Sequence, residues 1–101
     1  MTDPQIIIFK DYYYYPNYTI SNTGVVTNIK KNRVLKQSIK FNGYLRINLS
    51  CNGKATNCEI HILVARFFVS NPNKYVLVEH INQNIYDNNY TNLRWIDSNL
   101  L

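Results

Sequence analysis

The apolar residues of this 101-residue chain change their spacing at Ile60, and this change restricts the fold more than any other feature. Before it, residues 44–49 alternate between Tyr, Arg and Asn on one side and Leu, Ile and Leu on the other, which is typical of a half-buried strand. After it, the apolar side chains follow the spacing of one helix face: Ile60, Leu63, Val64, Phe67 and Phe68. The pattern predicts an α+β fold in which antiparallel strands and hairpins accompany one helix.

Turn residues divide the rest of the chain into short strands. Residues 18–29 predict two strands that are joined by a tight Ser-Asn-Thr-Gly turn, and Asn42-Gly43 and Asn52-Gly53 mark two hairpin turns. Asn71-Pro72 ends the helix, because a residue before proline is disfavoured in the α conformation. The other segments that we predict as extended are 33–38, 55–60, 75–80 and 93–96.

Basic residues are concentrated in the middle of the chain. The net charge is +5, and no Asp or Glu lies between Lys30 and Lys54. A local positive field of this kind suits a polyanion, because each cation placed at a phosphate releases counterions. The alternative is a solvated basic surface without a partner. The basic block comprises Lys30, Lys31, Arg33, Lys36, Lys40, Arg46 and Lys54.

No segment predicts membrane insertion or export. The chain has no apolar run long enough for a transmembrane helix, and no basic region precedes the short apolar run at residues 6–9. Cys51 and Cys58 do not amount to a disulfide framework, and no further Cys/His pair has zinc spacing. We therefore expect an intracellular protein in the cytoplasm or nucleus of a host cell. The oligomeric state stays open, with a homodimer among the alternatives.

Four local patterns occur in one order along the chain. They are YTISNTGVV at residues 18–26, GYLRINL at 43–49, IHILVARFF at 60–68 and VEHINQNIYDNNYTNLRW at 78–95. Together they resemble the small phage and viral homing endonucleases in which a NUMOD4-type segment precedes an HNH motif. Each pattern alone is weak evidence, but four patterns in register are hard to obtain by chance.

The resemblance implies a function and a division of the chain. Residues 1–58 would be a basic, β-rich DNA-binding segment, and residues 59–101 an HNH-like segment with a C-terminally short ββα-metal unit, joined in one compact unit. The implied activity is nicking or cleavage of duplex DNA by Mg²⁺-dependent hydrolysis. We predict that the basic block contacts DNA together with Arg94, which lies beside the predicted site.

The chemistry of the predicted site follows from its residue types. Phosphodiester hydrolysis needs a base for the attacking water and a cation near the leaving oxygen. His80 ends a predicted strand beside a polar loop, so we expect its imidazole to face solvent and act as the base. The alternative is a histidine that only bonds to a loop backbone. By resemblance, Asn92 holds His80 in its productive orientation, and Glu79 stands where the family usually has a metal-binding Asp.

The predicted metal site departs from the family pattern. Oxygen donors such as Glu79 suit Mg²⁺, but the family's next ligand falls near Leu101 by register. Asn99 is the nearest donor and becomes the second predicted ligand. Asn82 and Gln83 stand where the family has Asp and Gly. The alternative function is therefore an inactive HNH relative that acts as a DNA-binding accessory protein, and a protein-interaction domain ranks third.

Three residues near the predicted site are interpreted as structural. Asn88 is interpreted as a turn residue, because Asn readily adopts left-handed backbone conformations. His61 is interpreted as a residue that docks the helix on the sheet, and Trp95 as a core anchor.

Overall fold

The computed structural model describes residues 5–9, 13–39, 42–51 and 53–100. One α-helix lies in this part of the chain, α1 (Ile60–Phe68), and 3₁₀ turns occupy Tyr90–Asn92 and Ser98–Leu100. The strands in the described ranges are β1 (Gln5–Phe9), β2 (Tyr13–Ile20), β3 (Val26–Asn28), β4 (Arg33–Val34), β5 (Ser38–Ile39), β6 (Leu45–Cys51), β7 (Lys54–Glu59), β8 (Leu77–His80) and β9 (Leu93–Ile96). The α+β prediction is confirmed.

The described strands form three antiparallel sheets. Their orders are β1-β2-β3-β4, β5-β6-β7 and β8-β9. The predicted extended segment 33–38 is divided between two of these sheets, because β4 pairs with β3 whereas β5 pairs with β6. The predicted strand at 75–80 begins two residues later, since the amide side chain of Asn71 bonds to both the backbone N–H and the carbonyl of Tyr75. Residue 75 is thereby held in a loop.

The Ser-Asn-Thr-Gly turn between β2 and β3 is present as predicted. The hydroxyl oxygen of Ser21 accepts hydrogen bonds from the backbone N–H groups of Thr23 and Val25, at 3.3 and 2.9 Å. Gly24 closes the turn with φ +93°, a conformation that costs glycine little and other residues more. The turn residues therefore determine the pairing of β2 with β3.

Helix α1 begins directly where β7 ends and packs against β6, β7, β8 and β9. Its buried face is the one predicted from the apolar spacing, with Ile60, Leu63 and Val64 almost fully buried. The predicted boundary between residues 58 and 59 falls inside β7. The core cluster contains Tyr15, Tyr18, Ile20, Val26, Ile47, Leu49, Ile60, Leu63, Val64 and Leu93. Among the described residues, no helix has the length and apolarity needed to cross a membrane.

Candidate functional site

His80 is the last residue of β8 and lies opposite Leu93 of β9. Its Nε2 is 2.7 Å from Oδ1 of Asn88, and both side chains are buried. Because an amide oxygen can only accept a hydrogen bond, Nε2 of His80 must carry the proton. The neutral ring then keeps its lone pair on Nδ1, which is the atom that can accept a proton from water.

The expectation that the His80 imidazole faces solvent is wrong, because the residue is only 8% exposed. Two aromatic rings cover it. The ring centroid of His61 lies 5.0 Å from that of His80, and the ring of Tyr44 stacks at 6.0 Å. Tyr44 and His61 also stack on each other at 4.5 Å. The sequence pattern placed His80 at the end of a strand but could not show that α1 brings a second imidazole against it.

The interpretation of Asn88 as a turn residue is incomplete, since its side chain bonds to His80 and is 5% exposed. Asn92 contacts other groups. Its amide nitrogen donates to Oδ1 of Asn82 and to the carbonyl of Asp87, both at 2.9 Å, and its Oδ1 accepts from the backbone N–H of Asn82 at 3.0 Å. Asn92 therefore braces the loop that carries Asn88, and direct orientation of His80 by Asn92 stays a prediction.

His61 was interpreted as a docking residue, and its burial agrees with that, but its position beside His80 was missed. Burial lowers the pKa of the His61 imidazole to about 4, and the charges of His80 and Arg46 act in the same direction. The carboxylate of Glu59 opposes this shift from 3.9 Å. His61 is therefore neutral at pH 7 and places no charge beside the candidate base.

We expect the free energy of unfolding to fall by about 2 to 3 kcal/mol between pH 6.5 and pH 4 on account of His61. In this range the unfolded chain binds a proton at His61 and the folded chain does not, so acidification favours unfolding. Urea unfolding at several pH values measures the effect. His61→Gln is the control, because it removes this titration. In this variant the free energy of unfolding should depend less on pH over the same range. Equal pH dependence in both proteins would contradict the assignment.

Glu79 lies opposite Arg94 in the β8–β9 pair, and the two side chains form an ion pair. The carboxylate that was predicted as a metal ligand thus already has a cationic partner. Asn99, the second predicted ligand, is exposed in the turn after β9, where its backbone N–H donates to Oδ1 of Asp97 at 2.9 Å. No group of three His, Cys, Asp or Glu side chains within the described ranges could hold a metal ion. The predicted Mg²⁺ site at Glu79 and Asn99 stays a prediction.

Removing the guanidinium from Arg94 should raise the affinity of Glu79 for divalent cations. We expect Arg94→Ala to bind Mn²⁺ about two- to fivefold more tightly than the unsubstituted chain, as an exposed ion pair contributes only modestly. Titration calorimetry measures the change, and the double variant Arg94→Ala/Glu79→Gln serves as the control that should lose the gain. Unchanged Mn²⁺ binding in Arg94→Ala would show that the ion pair does not compete with the metal.

The residues that are predicted to contact DNA differ in their exposure and in whether a carboxylate pairs with them. Lys30, Lys31 and Arg33 are exposed on the β3–β4 hairpin, and Lys36 is exposed shortly after it. Lys54 is exposed at the start of β7. The β3–β4 hairpin thus carries three exposed cations, and Lys36 follows it in the sequence.

Arg46 and Lys40 complete the basic block. The guanidinium of Arg46 donates to Oδ1 of Asn57 and Oε1 of Glu59, both at 2.9 Å, so its charge is balanced within the protein. Lys40 lies outside the described residues. Arg94 is exposed but bonds to Glu79. The β3–β4 hairpin therefore offers the densest set of cations without a carboxylate partner among the contacts described.

The sequence contained a signal for the residues that were missed. Tyr44 and His61 lie within the second and third of the four patterns, and Asn88 within the fourth. Each pattern was interpreted by itself. The structure shows that these side chains meet around His80, which only the packing of α1 against two sheets could reveal.

Comparison with known proteins agrees with the four patterns. The NUMOD4 motif matches residues 8–50. The uncharacterized HNH endonuclease L245 of Acanthamoeba polyphaga mimivirus is 42% identical over 79 residues, covering 78% of this chain and 24% of the relative. The DNA endonuclease I-HmuI of Bacillus phage SP01 is 40% identical over 83 residues, covering 82% of this chain and 48% of the relative.

A solved structure supports the same relationship. The structure described as DNA binding and cleavage by the HNH homing endonuclease I-HmuI superposes with a TM-score of 0.79 and 38% identity, over 85% of this chain and 50% of that chain. The chain spans about half the length of I-HmuI and about a quarter of the mimivirus relative. The resemblance predicted from the sequence is confirmed, because the chain contains a NUMOD4 motif and is similar over most of its length to proteins named HNH endonucleases.

Proposed function

We propose that this chain binds duplex DNA and hydrolyses a phosphodiester bond in it, with His80 as the general base. The observation that carries the proposal is the 2.7 Å hydrogen bond between Nε2 of His80 and Oδ1 of Asn88. It fixes the proton on Nε2 and leaves Nδ1 free to accept one. Relatives named as DNA endonucleases support the substrate class.

The proposed reaction uses His80 and Asn88 in complementary roles. Nδ1 of His80 takes a proton from a water molecule while the water oxygen bonds to phosphorus, and the bond from phosphorus to the leaving sugar oxygen breaks. The leaving oxygen takes a proton from solvent. The imidazolium that forms donates from Nε2 to the Asn88 oxygen, and this charge-assisted bond stabilises it. His80 is largely buried, but the reaction requires only that one water molecule reaches its exposed part.

The basic hairpin supplies the binding part of the proposal. Lys30, Lys31 and Arg33 contact phosphates and position the duplex, although phosphate contacts carry no sequence information. Dependence on a divalent metal is what the resemblance predicts, and Mg²⁺ would place positive charge at the leaving oxygen. Glu79 and Asn99 are the predicted ligands, and no step of the proposed reaction is assigned to the metal. An intracellular location beside host DNA is part of the same proposal.

A plasmid assay combined with binding measurements tests the proposal. Supercoiled plasmid is incubated with the protein, with and without Mg²⁺ or Mn²⁺, and conversion to nicked or linear DNA is followed with time. Duplex affinity is measured in parallel at several salt concentrations. Cleavage together with salt-dependent binding is the expected result. Absence of both would overturn the proposal.

An inactive, DNA-binding relative is the second candidate, and the Glu79–Arg94 ion pair favours it. A carboxylate that is already paired with a guanidinium is a weaker ligand for a hard cation. This candidate expects salt-dependent duplex binding without cleavage at any Mg²⁺ or Mn²⁺ concentration. Cleavage that requires His80 would exclude it.

A further inference from the structure

The Ser-Asn-Thr-Gly turn between β2 and β3 lies directly against the loop that holds His80. The carbonyl of Asn22 accepts a hydrogen bond from the backbone N–H of Tyr90 at 2.8 Å. A Cβ atom built on Gly24 would lie 3.2 Å from Cβ of Asn88 and 2.9 Å from Cγ2 of Ile60. The turn therefore touches the residue that bonds to the candidate base, and at Gly24 there is no room for a side chain.

The contacts form one continuous path from the turn to the imidazole. Gly24 packs against Asn88, and Asn88 bonds to Nε2 of His80. The turn is held in place from its other side, because Nε2 of Gln37 donates to the carbonyl of Gly24 at 2.9 Å. Asn88 therefore lies between His80 and a turn that is itself fixed.

We propose that Gly24 and the Asn22–Tyr90 hydrogen bond are positioning elements for His80, acting through Asn88. They keep the amide oxygen of Asn88 on Nε2 and so keep the His80 ring in a single tautomer. The inference rests on the proposed function for its catalytic meaning, but its structural claim concerns the tautomer alone. The NUMOD4-type turn then serves the HNH-like site directly, besides joining two strands.

Substitution of Gly24 has two effects that must be separated. Alanine at φ +93° is strained wherever it occurs, and here its methyl group would also displace Asn88. Gly53→Ala is the matched control, because Gly53 has φ +79° and nothing within 4 Å of an added Cβ. A change seen in Gly24→Ala and not in Gly53→Ala therefore arises from the contacts of the methyl group.

Tyr90 offers a variant that avoids strain at the turn. Tyr90→Pro removes the N–H that donates to Asn22, and the extended backbone of Asn89, at φ −61° and ψ 135°, suits a residue before proline. Tyr90 is also the first residue of a 3₁₀ turn, a position that proline tolerates. Tyr90→Ala is the matched control, because it loses the same side chain and keeps the N–H.

Long-range ¹H–¹⁵N correlation spectra at pH 8 report the tautomer of each imidazole. The chain has two histidines, so His80→Gln identifies the signals of His80. We expect a single tautomer with the proton on Nε2 in the unsubstituted chain, in Gly53→Ala and in Tyr90→Ala. Mixed tautomers are expected in Gly24→Ala, Tyr90→Pro and Asn88→Ala. A single Nε2 tautomer in both Gly24→Ala and Tyr90→Pro would overturn the inference.

Cleavage kinetics add a readout that general loss of structure would not reproduce. Gly24→Ala should lower kcat by about 10- to 100-fold with little change in KM for DNA. In a chain that already carries Asn88→Ala, Gly24→Ala should not lower kcat further, because the contact from Gly24 to His80 through Asn88 is already lost. Losses that multiply in the double variant would contradict an effect through Asn88. The spectra need no cleavage, so an inert chain would refute the proposed function while the tautomers still decide this inference.

Discussion

His80→Ala is expected to reduce the rate of DNA cleavage by about 10²- to 10⁴-fold, the usual contribution of a positioned general base. The ring accepts a proton at Nδ1 because Asn88 occupies Nε2, and alanine offers no acceptor there. Duplex affinity should stay within about twofold, since the cations of the β3–β4 hairpin do not depend on His80. Single-turnover plasmid nicking with excess protein measures the rate, and fluorescence anisotropy measures the affinity.

Substitutions at Asn88 form the matched series for this prediction. Asn88→Ala keeps His80 but removes the acceptor at Nε2, so we expect a loss smaller than that of His80→Ala. Asn88→Asp keeps an acceptor and should retain more activity than Asn88→Ala. Equal cleavage by His80→Ala and the unsubstituted chain would show that another group activates the water, and the mechanism proposed for His80 would be wrong.

Neutralising Lys36 together with the three cations of the β3–β4 hairpin should weaken DNA binding about a thousandfold at 0.1 M salt. The substitutions are Lys30→Gln, Lys31→Gln, Arg33→Gln and Lys36→Gln. Each cation that contacts a phosphate contributes about 0.9 to the slope of log K against log salt, so the combined variant should lose about 3 to 4 slope units. These four side chains are exposed, and no contact within the described ranges pairs their charges with a carboxylate. Anisotropy titrations between 50 mM and 200 mM salt give both quantities.

Two single substitutions act as controls for the hairpin. Lys74→Gln removes one exposed positive charge far along the chain from the basic block and should leave the slope unchanged. Arg46→Gln should also change the slope little, because its guanidinium already binds Asn57 and Glu59. If Lys74→Gln lowers the slope as much as each charge removed at the hairpin does, the attraction to DNA is nonspecific. The hairpin would then not be the DNA-binding surface.

Local sequence determined α1 and the pairing of β2 with β3, whereas β1 and the first five residues of β2 were not predicted. The spacing from Ile60 to Phe68 predicted α1 within its observed bounds, and the Ser21–Gly24 turn predicted the pairing of β2 with β3. Both depend on periodicity and turn chemistry, which act over a few residues. The segment 33–38 was less predictable, because its two short strands join different sheets, and sheet partners are chosen by contacts distant in sequence.

The candidate site was only partly predictable for the same reason. His80 follows from its pattern, and its position at the end of β8 agrees with the prediction. The roles of His61, Tyr44 and Asn88 depend on how α1 and the β8–β9 loop pack against β6. The burial of His80 follows from that packing as well. A sequence pattern that covers one motif carries no information about contacts between residues of different motifs.

Because one face of α1 packs against strands from both predicted segments, neither segment can be replaced by that of a relative without changing the contacts in the core. Leu63 and Val64 share one core with Ile47 and Leu49 on one side and Leu93 on the other. A chimera that joined this DNA-binding segment to the nuclease segment of a relative would inherit interior surfaces shaped by different parents. Recombination between relatives should therefore succeed only where both parents have similar residues at these core positions.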